Sequence, residues 1–353
     1  VLFLLICLII NMKESSLYIC DTLYHLYVFL VMCDKSKKNN LILTDFTESL
    51  PNCRERLLQL PYVNEVYVVN SSDFQQSFVN TGIAKKLYRG FFYSTTLRKS
   101  LLSNFPFLNS CLLEKEVFLF VDVSHLARFF LINHRNVILL DDGEGNYFPL
   151  NKGVKYFFKH YIFRLPEGRG VSRSIVKVCL RKPEKLDHQI KKRIGHKLVR
   201  LELGSMEKRL NKSNVSNIFF VFNLDGHFKK EGKSVLIFTQ PFSEDSFISE
   251  EYKVNMYRDI ANYYADSNVF IKPHPREKTN YEDIFGKSLV VIDKDVPSEC
   301  FNLDLNFSFD IGVAIQSTAL DNACFVNHKV SLGYESYPEL KLGKEKKDEI
   351  KIN

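Results

Sequence analysis

The feature that most constrains this chain is the alternation of short, strand-like apolar runs with amphipathic stretches of helical length. This alternation is typical of a parallel sheet with helices on both faces. In the first half, strands are predicted at 16–20, 40–44, 66–70, 116–121 and 136–140. In the second half, they are predicted at 234–239, 268–272, 288–292, 310–315 and 329–332. Helices are predicted at 22–33, 48–60 and 250–264.

The two halves repeat one theme and are joined by a basic, less regular middle segment. We therefore predict an α/β protein with two Rossmann-like domains, residues 12–200 and 201–353, and a joint near residues 195–230. Ligands of such folds bind at the carboxyl ends of the strands. We expect the ligand in a cleft between the two domains.

Length and composition exclude several classes of protein. The 353 residues suffice for two domains that each bury a core. With 45% hydrophobic and 25% charged residues, the chain is not a disordered protein, a collagen or a coiled coil. No apolar run approaches the roughly 20 residues of a spanning helix. The apolar run 1–10 lacks the basic region and cleavage site of a signal peptide, and we expect Met12 to be the natural start.

The cysteines indicate the redox environment. Eight of them are scattered without a C-x-x-C pair, and most lie in apolar runs, as Cys20 and Cys324 do. This favours buried free thiols in a reducing compartment over a disulfide framework or a zinc site. We expect a cytoplasmic protein.

The excess positive charge is concentrated in the middle of the chain. Residues 152–212 carry 18 Lys and Arg against 5 Asp and Glu, a balance of +13 within a total of +7, so the other residues sum to −6. One interpretation is a solvated helix face near the joint. The other is a surface for an anionic membrane or a phosphorylated glycolipid. No nucleic-acid-binding motif accompanies the charge, and we predict no nucleic-acid partner.

Two adjacent carboxylates follow the predicted strand 136–140, in the run Asp141-Asp142-Gly143-Glu144-Gly145-Asn146. Adjacent carboxylates repel each other, which favours the protonated form of one and suits it to proton transfer. The glycines let the backbone approach a ligand closely. An Asp-Gly turn with a helix cap explains the same residues, and both interpretations stay open.

A histidine between two prolines follows the predicted strand 268–272, in Lys272-Pro273-His274-Pro275-Arg276. The prolines fix the backbone and remove two amide donors. A histidine held between two cationic side chains suits an anionic ligand and can act as an acid toward a leaving phosphate. We predict that His274 is functional and that the other eight histidines are structural.

Two more strand ends carry polar side chains. Ser317 and Thr318 precede an apolar helix, where they can cap it and also present hydroxyls and free amides to a phosphate. Glu244 and Asp245 follow the predicted strand 234–239 and place carboxylates there. The latter signal is weak alone, because such a cluster also starts helices.

Other motifs are excluded or set aside. Asp293-Lys294-Asp295 matches the D-x-D that holds a metal in other transferases, but three residues carry little information and we interpret them as a loop. We predict no metal site. Asp21-Thr22-Leu23-Tyr24 occupies the first strand–helix turn where a dinucleotide fold has glycines, so NAD and FAD are not expected.

Together these segments resemble the bacterial glycosyltransferase family 52, the lipooligosaccharide sialyltransferases, from about residue 16 to about residue 334. Where the family has an Asn-Thr-Pro-Tyr-Gln type of turn, this chain reads Asp21-Thr22-Leu23-Tyr24-His25 and departs at Leu23 and His25. The other matching segments are Asp141-Asp142-Gly143, Gln240-Pro241 with Glu244-Asp245, Lys272-Pro273-His274-Pro275, Pro297-Ser298-Glu299 and Ser317-Thr318.

The resemblance implies a GT-B fold and an enzyme that uses CMP-sialic acid without a metal. By motif, His274 would protonate or bind the leaving phosphate. Ser317 and Thr318 would hold that phosphate, and Lys272 and Glu299 would contact the nucleotide. The general base would be Asp245, as favoured in this family, or Asp142, as in related sialyltransferase families.

The leading hypothesis is therefore an inverting sialyltransferase that acts on a galactose hydroxyl of lipooligosaccharide or capsule. Alternatives are a UDP-hexose-dependent transferase of the same family, a CDP-glycerol glycerophosphotransferase, and a non-catalytic glycolipid-binding scaffold. The expected partners are a nucleotide-sugar donor and a glycolipid or oligosaccharide acceptor. Two further hypotheses are peripheral contact with the inner membrane through residues 152–212 and a homodimer.

Overall fold

The computed structural model describes residues 13–45, 49–70, 92–143, 145–147, 154–162, 165–224, 232–304 and 307–352. The apolar run 1–10 and Met12 lie outside the described residues. The chain divides into two compact units, residues 1–209 and 210–353, whereas the domains predicted from sequence meet at residue 200.

The first unit contains a seven-stranded sheet in the order β3-β2-β1-β4-β5-β6-β7, in which every pairing is parallel. Its strands are β1 (Lys13–Cys20), β2 (Asn39–Thr44), β3 (Val63–Val69), β4 (Glu114–Leu119), β5 (Val137–Leu140), β6 (Ile175–Leu180) and β7 (Leu198–Arg200). Ile19 pairs with Leu119, and Leu119 with Leu139. This register brings the carboxyl ends of β1, β4 and β5 level with one another.

Helices of the first unit connect these strands. They are α1 (Leu23–Met32), α2 (Arg54–Leu57), α3 (Tyr93–Asn104), α4 (Leu108–Cys111), α5 (His125–Asn133), α6 (Val154–Phe157), α7 (His188–Ile194) and α8 (Leu203–Glu207). Helix α1 begins where the Thr22 hydroxyl accepts the N–H of His25 (3.2 Å), which satisfies one of the free amides of its first turn. Its apolar side chains, such as Leu26, Val28 and Phe29, are buried.

The second unit contains a five-stranded parallel sheet in the order β10-β9-β8-β11-β12. Its strands are β8 (Ser234–Phe238), β9 (Asn268–Lys272), β10 (Val290–Val291), β11 (Phe309–Ala314) and β12 (Val326–Ser331). Its helices are α9 (Lys212–Val221), α10 (Glu250–Tyr263), α11 (Tyr281–Phe285), α12 (Thr318–Asn322) and α13 (Pro338–Ile352). Phe238 pairs with both Lys272 and Ala314, so the ends of β8, β9 and β11 are level.

Each sheet is apolar because both of its faces are covered. In the first unit, Val117 and Leu139 pack against Phe129 and Phe130 of α5 in one buried cluster. In the second, Val235 and Ile271 belong to a cluster with Met256 and Tyr257 of α10. No helix among the described residues is both long and apolar enough to cross a membrane.

The structure departs from the sequence prediction in the basic middle segment, which contains two further strands of the first sheet, β6 and β7. All ten predicted strands are present, and both sheets are parallel. The predicted helix 48–60 is shorter, a turn at Leu50–Cys53 followed by α2, and residues 46–48 are outside the described part. Cys324 is exposed, contrary to prediction, whereas the other described cysteines are buried free thiols.

Candidate active site

A histidine and a carboxylate meet at the carboxyl edge of the first sheet. His25, in the first turn of α1, is fully buried, and its Nε2 lies 2.6 Å from Asp142 Oδ1, just after β5. Its Nδ1 accepts the backbone N–H of Asp21 (3.1 Å), so the neutral ring carries its hydrogen on Nε2 and donates it to Asp142. The ring stacks on Phe120 at the end of β4, with centroids 4.2 Å apart.

The two aspartates after β5 have different environments. Asp141 is fully buried and accepts the backbone N–H groups of Gly143 and Arg181 (both 2.8 Å) and the hydroxyl of Tyr147. Asp142 is 23% exposed, and its Oδ2 would lie 2.2 Å from a Cβ placed on Gly145. The Asp-Gly turn and the candidate base are therefore separate features, the first made by Asp141 and the second by Asp142.

Asp21 completes this edge. Its carboxylate accepts the hydroxyl of Thr44 at the end of β2 (2.9 Å). Burial raises the pKa of Asp21, and the nearby His25 ring and the Thr44 hydroxyl oppose that rise. The turn that departs from the family pattern thus supplies His25 and fixes its ring through the N–H of Asp21.

At the carboxyl edge of the second sheet, His274 follows β9 in a tightly bonded loop. Its Nδ1 accepts the backbone N–H of Arg276 (3.1 Å). The backbone N–H of His274 donates to Glu277 Oε2 (2.7 Å). No described residue engages Nε2, which carries the hydrogen of the neutral ring. Burial, together with the charges of Arg276 and Lys272, lowers the pKa of His274 to about 4.

A buried ion cluster supports this loop. Glu277 accepts the hydroxyls of Thr239 and Tyr281, the latter at 2.8 Å. Lys253 of α10 is fully buried, 3.5 Å from Glu277 and 2.9 Å from Glu244. Burial raises the pKa of Glu277, and its hydrogen bonds and Lys253 oppose that rise. The loop is therefore fixed from below by charge-assisted bonds.

Lys272, at the end of β9, joins two loops. It is only 5% exposed, and its Nζ donates to the carbonyls of Pro273 (2.9 Å) and Lys294 (3.1 Å). Burial lowers the pKa of Lys272 to about 8, and carboxylates nearby, Asp293 first among them, oppose the fall. The ammonium thus already has backbone partners, and its contact with a nucleotide stays a prediction.

Asp245 and Glu244, after β8, both have cationic partners. Asp245 forms two bonds with the guanidinium of Arg276, at 3.0 and 3.1 Å. Glu244 accepts from Lys253 and from the backbone N–H of Lys278 (2.7 Å). Asp245 is therefore tied to the loop that carries His274.

The remaining predicted residues lie on neighbouring loops of the second unit. Ser317 is the N-cap residue of α12, but its side chain makes no capping hydrogen bond, and Thr318 is exposed. Glu299 lies in the turn Ser298–Leu303, is partly exposed, and accepts from the Ser298 hydroxyl (3.3 Å). The Ser317 hydroxyl is thus not used by the helix.

The D-x-D run forms a turn, in which the N–H of Asp295 donates to Asp293 Oδ1 (2.9 Å). This agrees with the loop interpretation. Within the residues that the structure describes, no group of three or more His, Cys, Asp or Glu is arranged to hold a metal ion.

The sequence predicts the loops of the site but not three side chains that support them, His25, Glu277 and Lys253. The prediction for His25 is a structural role, and the structure places it in contact with the candidate base Asp142. The sequence signal for a functional His25 is its position in the first turn after β1, three residues beyond Thr22, which caps α1. No sequence motif predicts the contact between Lys253 and Glu277, because it joins a loop to a helix that lies earlier in the chain.

The profile of "Glycosyltransferase family 52" matches residues 63–332. An uncharacterized protein from Haemophilus influenzae is 30% identical over 200 residues, which is 55% of this chain and 62% of that protein. The chain thus spans less than two thirds of the length of this curated relative.

A solved sialyltransferase structure shares the fold at low sequence identity. An α/β-galactoside α-2,3-sialyltransferase from the luminous marine bacterium Photobacterium phosphoreum matches with a TM-score of 0.55 and 10% identity, over 94% of this chain and 95% of that one. This confirms the predicted α/β fold of GT-B type. A wall teichoic acid polymerase matches with a TM-score of only 0.44 and 10% identity, over 91% of this chain and 69% of that one.

The motifs that suggested a family lie in order along both sheets, and the profile covers more than half of the chain. The resemblance is confirmed, and this chain belongs to glycosyltransferase family 52.

Proposed function

We propose that the chain is an inverting sialyltransferase, which moves sialic acid from CMP-sialic acid to a galactose hydroxyl of lipooligosaccharide or capsule. Membership of a glycosyltransferase family supports sugar transfer, and the fold shared with a sialyltransferase supports this choice of sugar. The observation that carries the proposal is His274. Its ring is fixed through Nδ1, and its Nε2–H has no partner among the described residues.

On the donor side, His274 donates to a phosphate oxygen of CMP. The hydroxyls of Ser317 and Thr318 bind the same phosphate from the end of β11, two strands from β9 in the sheet. Glu299 binds the ribose hydroxyls, and Lys272 contributes a positive charge below the loop. A monophosphate leaving group carries less charge than a diphosphate, so these groups can stabilise it without Mg²⁺.

His274 is neutral at pH 7, because its pKa is lowered to about 4. It therefore binds the donor as a hydrogen-bond donor. Its Nδ1 accepts the N–H of Arg276, so the ring has one hydrogen, on Nε2, and keeps it. The Nε2–H stabilises the negative charge that develops on the phosphate as the bond between the phosphate oxygen and the anomeric carbon breaks.

In the reaction, a carboxylate takes the proton of the galactose hydroxyl. The hydroxyl oxygen forms a bond to the anomeric carbon of sialic acid from the face opposite CMP. The bond between that carbon and the phosphate oxygen breaks, and its electron pair leaves with CMP. Attack from the opposite face inverts the configuration, and Asp142 and Asp245 are the candidate bases.

A thermal-shift screen tests the choice of nucleotide. CMP and CMP-sialic acid should raise the melting temperature more than UDP or CDP at equal concentration, because only ligands of the native state stabilise it. A larger shift with UDP would favour a UDP-hexose transferase. A larger shift with CDP would favour a CDP-glycerol glycerophosphotransferase. Protection by CMP without turnover of any donor would favour a glycolipid-binding scaffold.

The acceptor side includes the basic segment 152–212. Some of its cations serve the fold: Arg193 forms two bonds with Glu167 (2.7 and 2.9 Å), and Lys197 Nζ donates to two backbone carbonyls. Lys191 and Lys192 of α7 are exposed. We propose that the protein is cytoplasmic and that these exposed cations contact an acidic acceptor or the anionic surface of the inner membrane.

A further inference from the structure

We propose that Glu277 is a positioning residue, which holds His274 so that its Nε2–H meets the phosphate of the donor. The inference rests on the proposed function and deepens its donor side. It comes from three hydrogen bonds that join His274 to the two residues that follow Pro275. All of these residues belong to the second unit.

The backbone amides around His274 are all used to hold it. Pro273 and Pro275 have no N–H to donate. The N–H of Arg276 donates to His274 Nδ1 (3.1 Å), and that of Glu277 donates to the His274 carbonyl (2.9 Å). The N–H of His274 itself donates to Glu277 Oε2 (2.7 Å). Glu277 thus binds both backbone groups of the histidine, one with its main chain and one with its side chain.

These three bonds reproduce a capping box, the arrangement that begins many helices. In a capping box, the cap side chain accepts an N–H two or three residues later, and a glutamate three residues after the cap binds the N–H of the cap residue. Here the imidazole of His274 takes the place of the usual hydroxyl, and Pro275 occupies the position where proline is favoured. No helix follows directly, because residues 277–280 lack regular structure and α11 begins at Tyr281 with Asn280 as its own cap. The arrangement therefore serves the histidine rather than a helix.

The ring is fixed in one tautomer by this arrangement. Because Nδ1 accepts the Arg276 N–H, it carries no hydrogen, and the hydrogen of the neutral ring is on Nε2. His274 is partly exposed, whereas Glu277 is only 1% exposed. A donor that is already oriented binds a phosphate more tightly, because less side-chain freedom is lost on binding.

The carboxylate that holds His274 is itself surrounded by donors. Oε2 also accepts the Thr239 hydroxyl, and Oε1 accepts the Tyr281 hydroxyl (2.8 Å) and lies 3.5 Å from Lys253 Nζ. These contacts fix the place of Oε2, to which the His274 N–H donates. An apolar side chain at position 277 would leave that N–H without its acceptor and release the loop.

A comparison of CMP with cytidine separates a positioning role from a purely structural one. Cytidine lacks the phosphate, so the ratio of the Kd of cytidine to the Kd of CMP measures the phosphate contact. Both constants are determined by isothermal titration calorimetry, and the melting temperature is recorded for each variant. A residue that only stabilises the fold lowers the melting temperature and leaves the ratio unchanged.

The variant Glu277→Leu removes the acceptor of the His274 N–H. We expect the ratio to fall about 10- to 100-fold, as for a lost hydrogen bond to a charged group. Glu277→Gln keeps a side-chain carbonyl for that N–H, and it should recover most of the ratio although its melting temperature stays low.

Met256→Ala is the matched control for stability. Met256 is buried in the core of the same unit and has no part in the hydrogen bonds of Glu277. The cavity should lower the melting temperature, and the ratio should remain native.

A double variant tests whether Glu277 acts through His274. His274→Ala should lower the ratio by itself, because the phosphate loses its donor. Addition of Glu277→Leu to His274→Ala should change the ratio no further, because two residues that act through one contact are not additive.

The outcomes distinguish the inference from the proposed function. A native ratio in Glu277→Leu, or a further fall of the ratio in the double variant, would overturn the inference while leaving the proposed function intact. If Glu277→Leu does not fold, Glu277→Asp takes its place, because its shorter side chain stays charged but withdraws from the His274 N–H. A native ratio there would overturn the inference too. A native chain that binds CMP no more tightly than cytidine would contradict the proposed function itself.

Discussion

Asp141 and Asp142 are neighbours in the chain but have different environments. Asp141 is turned inward by Tyr147 and by the backbone of Arg181, whereas Asp142 contacts His25 and reaches solvent. The sequence predicts a polar strand end here, because two carboxylates follow an apolar strand. It does not predict which of them turns inward, because Arg181 directly follows β6, a strand that the sequence pattern does not reveal.

A substitution at Gly145 tests whether the position of the Asp142 carboxylate matters for transfer. In Gly145→Ala, the new Cβ would lie 2.2 Å from Asp142 Oδ2, so the carboxylate must move. We expect kcat for transfer to fall about 10- to 100-fold. Gly195→Ala is the control, because its Cβ meets nothing within 4 Å. Equal rates for the two variants would argue against Asp142 as the base.

The lowered pKa of His274 predicts a pH dependence of stability. The folded-state pKa is about 4 against an ordinary value of 6.5, so the unfolded chain binds more protons between these pH values. The contribution of His274 to stability is thus complete above pH 6.5 and is lost as the pH falls toward 4.

The free energy of unfolding should therefore change less steeply with pH in His274→Gln than in the native chain between pH 6.5 and 4. The limit for one group is about 1.4 kcal/mol per pH unit. Urea unfolding at several pH values measures the difference. Identical slopes would mean that the imidazole is not buried as described.

At the scale of elements, the loops that carry the site were predictable and the supports beneath them were not. Apolar runs alternating with helices predict parallel strands, and parallel strands place their carboxyl ends at one edge. Strand β7 was missed because it has only three residues, and β6 because Lys177 and its basic surroundings conceal its apolar pattern. The Lys253–Glu277 contact depends on packing, which no local pattern encodes.

The ion cluster under the His274 loop predicts a large effect on stability. Lys253→Met leaves the buried Glu277 without its cation, and removal of one partner of a buried pair costs about 3–5 kcal/mol. Lys341→Met is the control in the same unit, because Lys341 and Glu335 are both exposed and such pairs contribute about 0–1 kcal/mol. Urea unfolding that fails to distinguish the two variants would contradict the supporting role of the cluster.

At the scale of the whole molecule, the charge of +7 combines a basic segment with a net acidic remainder. Part of the basic segment neutralises carboxylates such as Glu167 and Glu184, both in ion pairs with arginines. The balance of +13 already counts these carboxylates, so the pairs reduce the number of cations that can meet a partner and not the net charge. The exposed lysines of α7 are among the cations that can meet an anionic surface.

Binding to vesicles tests this surface. The native chain should sediment with vesicles that contain anionic lipid, and binding should weaken as salt is added, because exposed charges are screened. The double variant Lys191→Glu, Lys192→Glu should bind less. Lys287→Glu, a change of one exposed lysine in the other unit, is the control. Equal binding by all three proteins would argue against the basic segment as the contact.

The most direct test of the central claim is a turnover assay with three donors. The native chain and His274→Ala are incubated with a galactoside and CMP-sialic acid, a UDP-hexose or CDP-glycerol, with EDTA present. We predict sialylated product and CMP from the first donor only, and a kcat reduced about 10²-fold or more in His274→Ala, which has no donor for the phosphate. Turnover of another donor, or an undiminished rate in His274→Ala, would contradict the account.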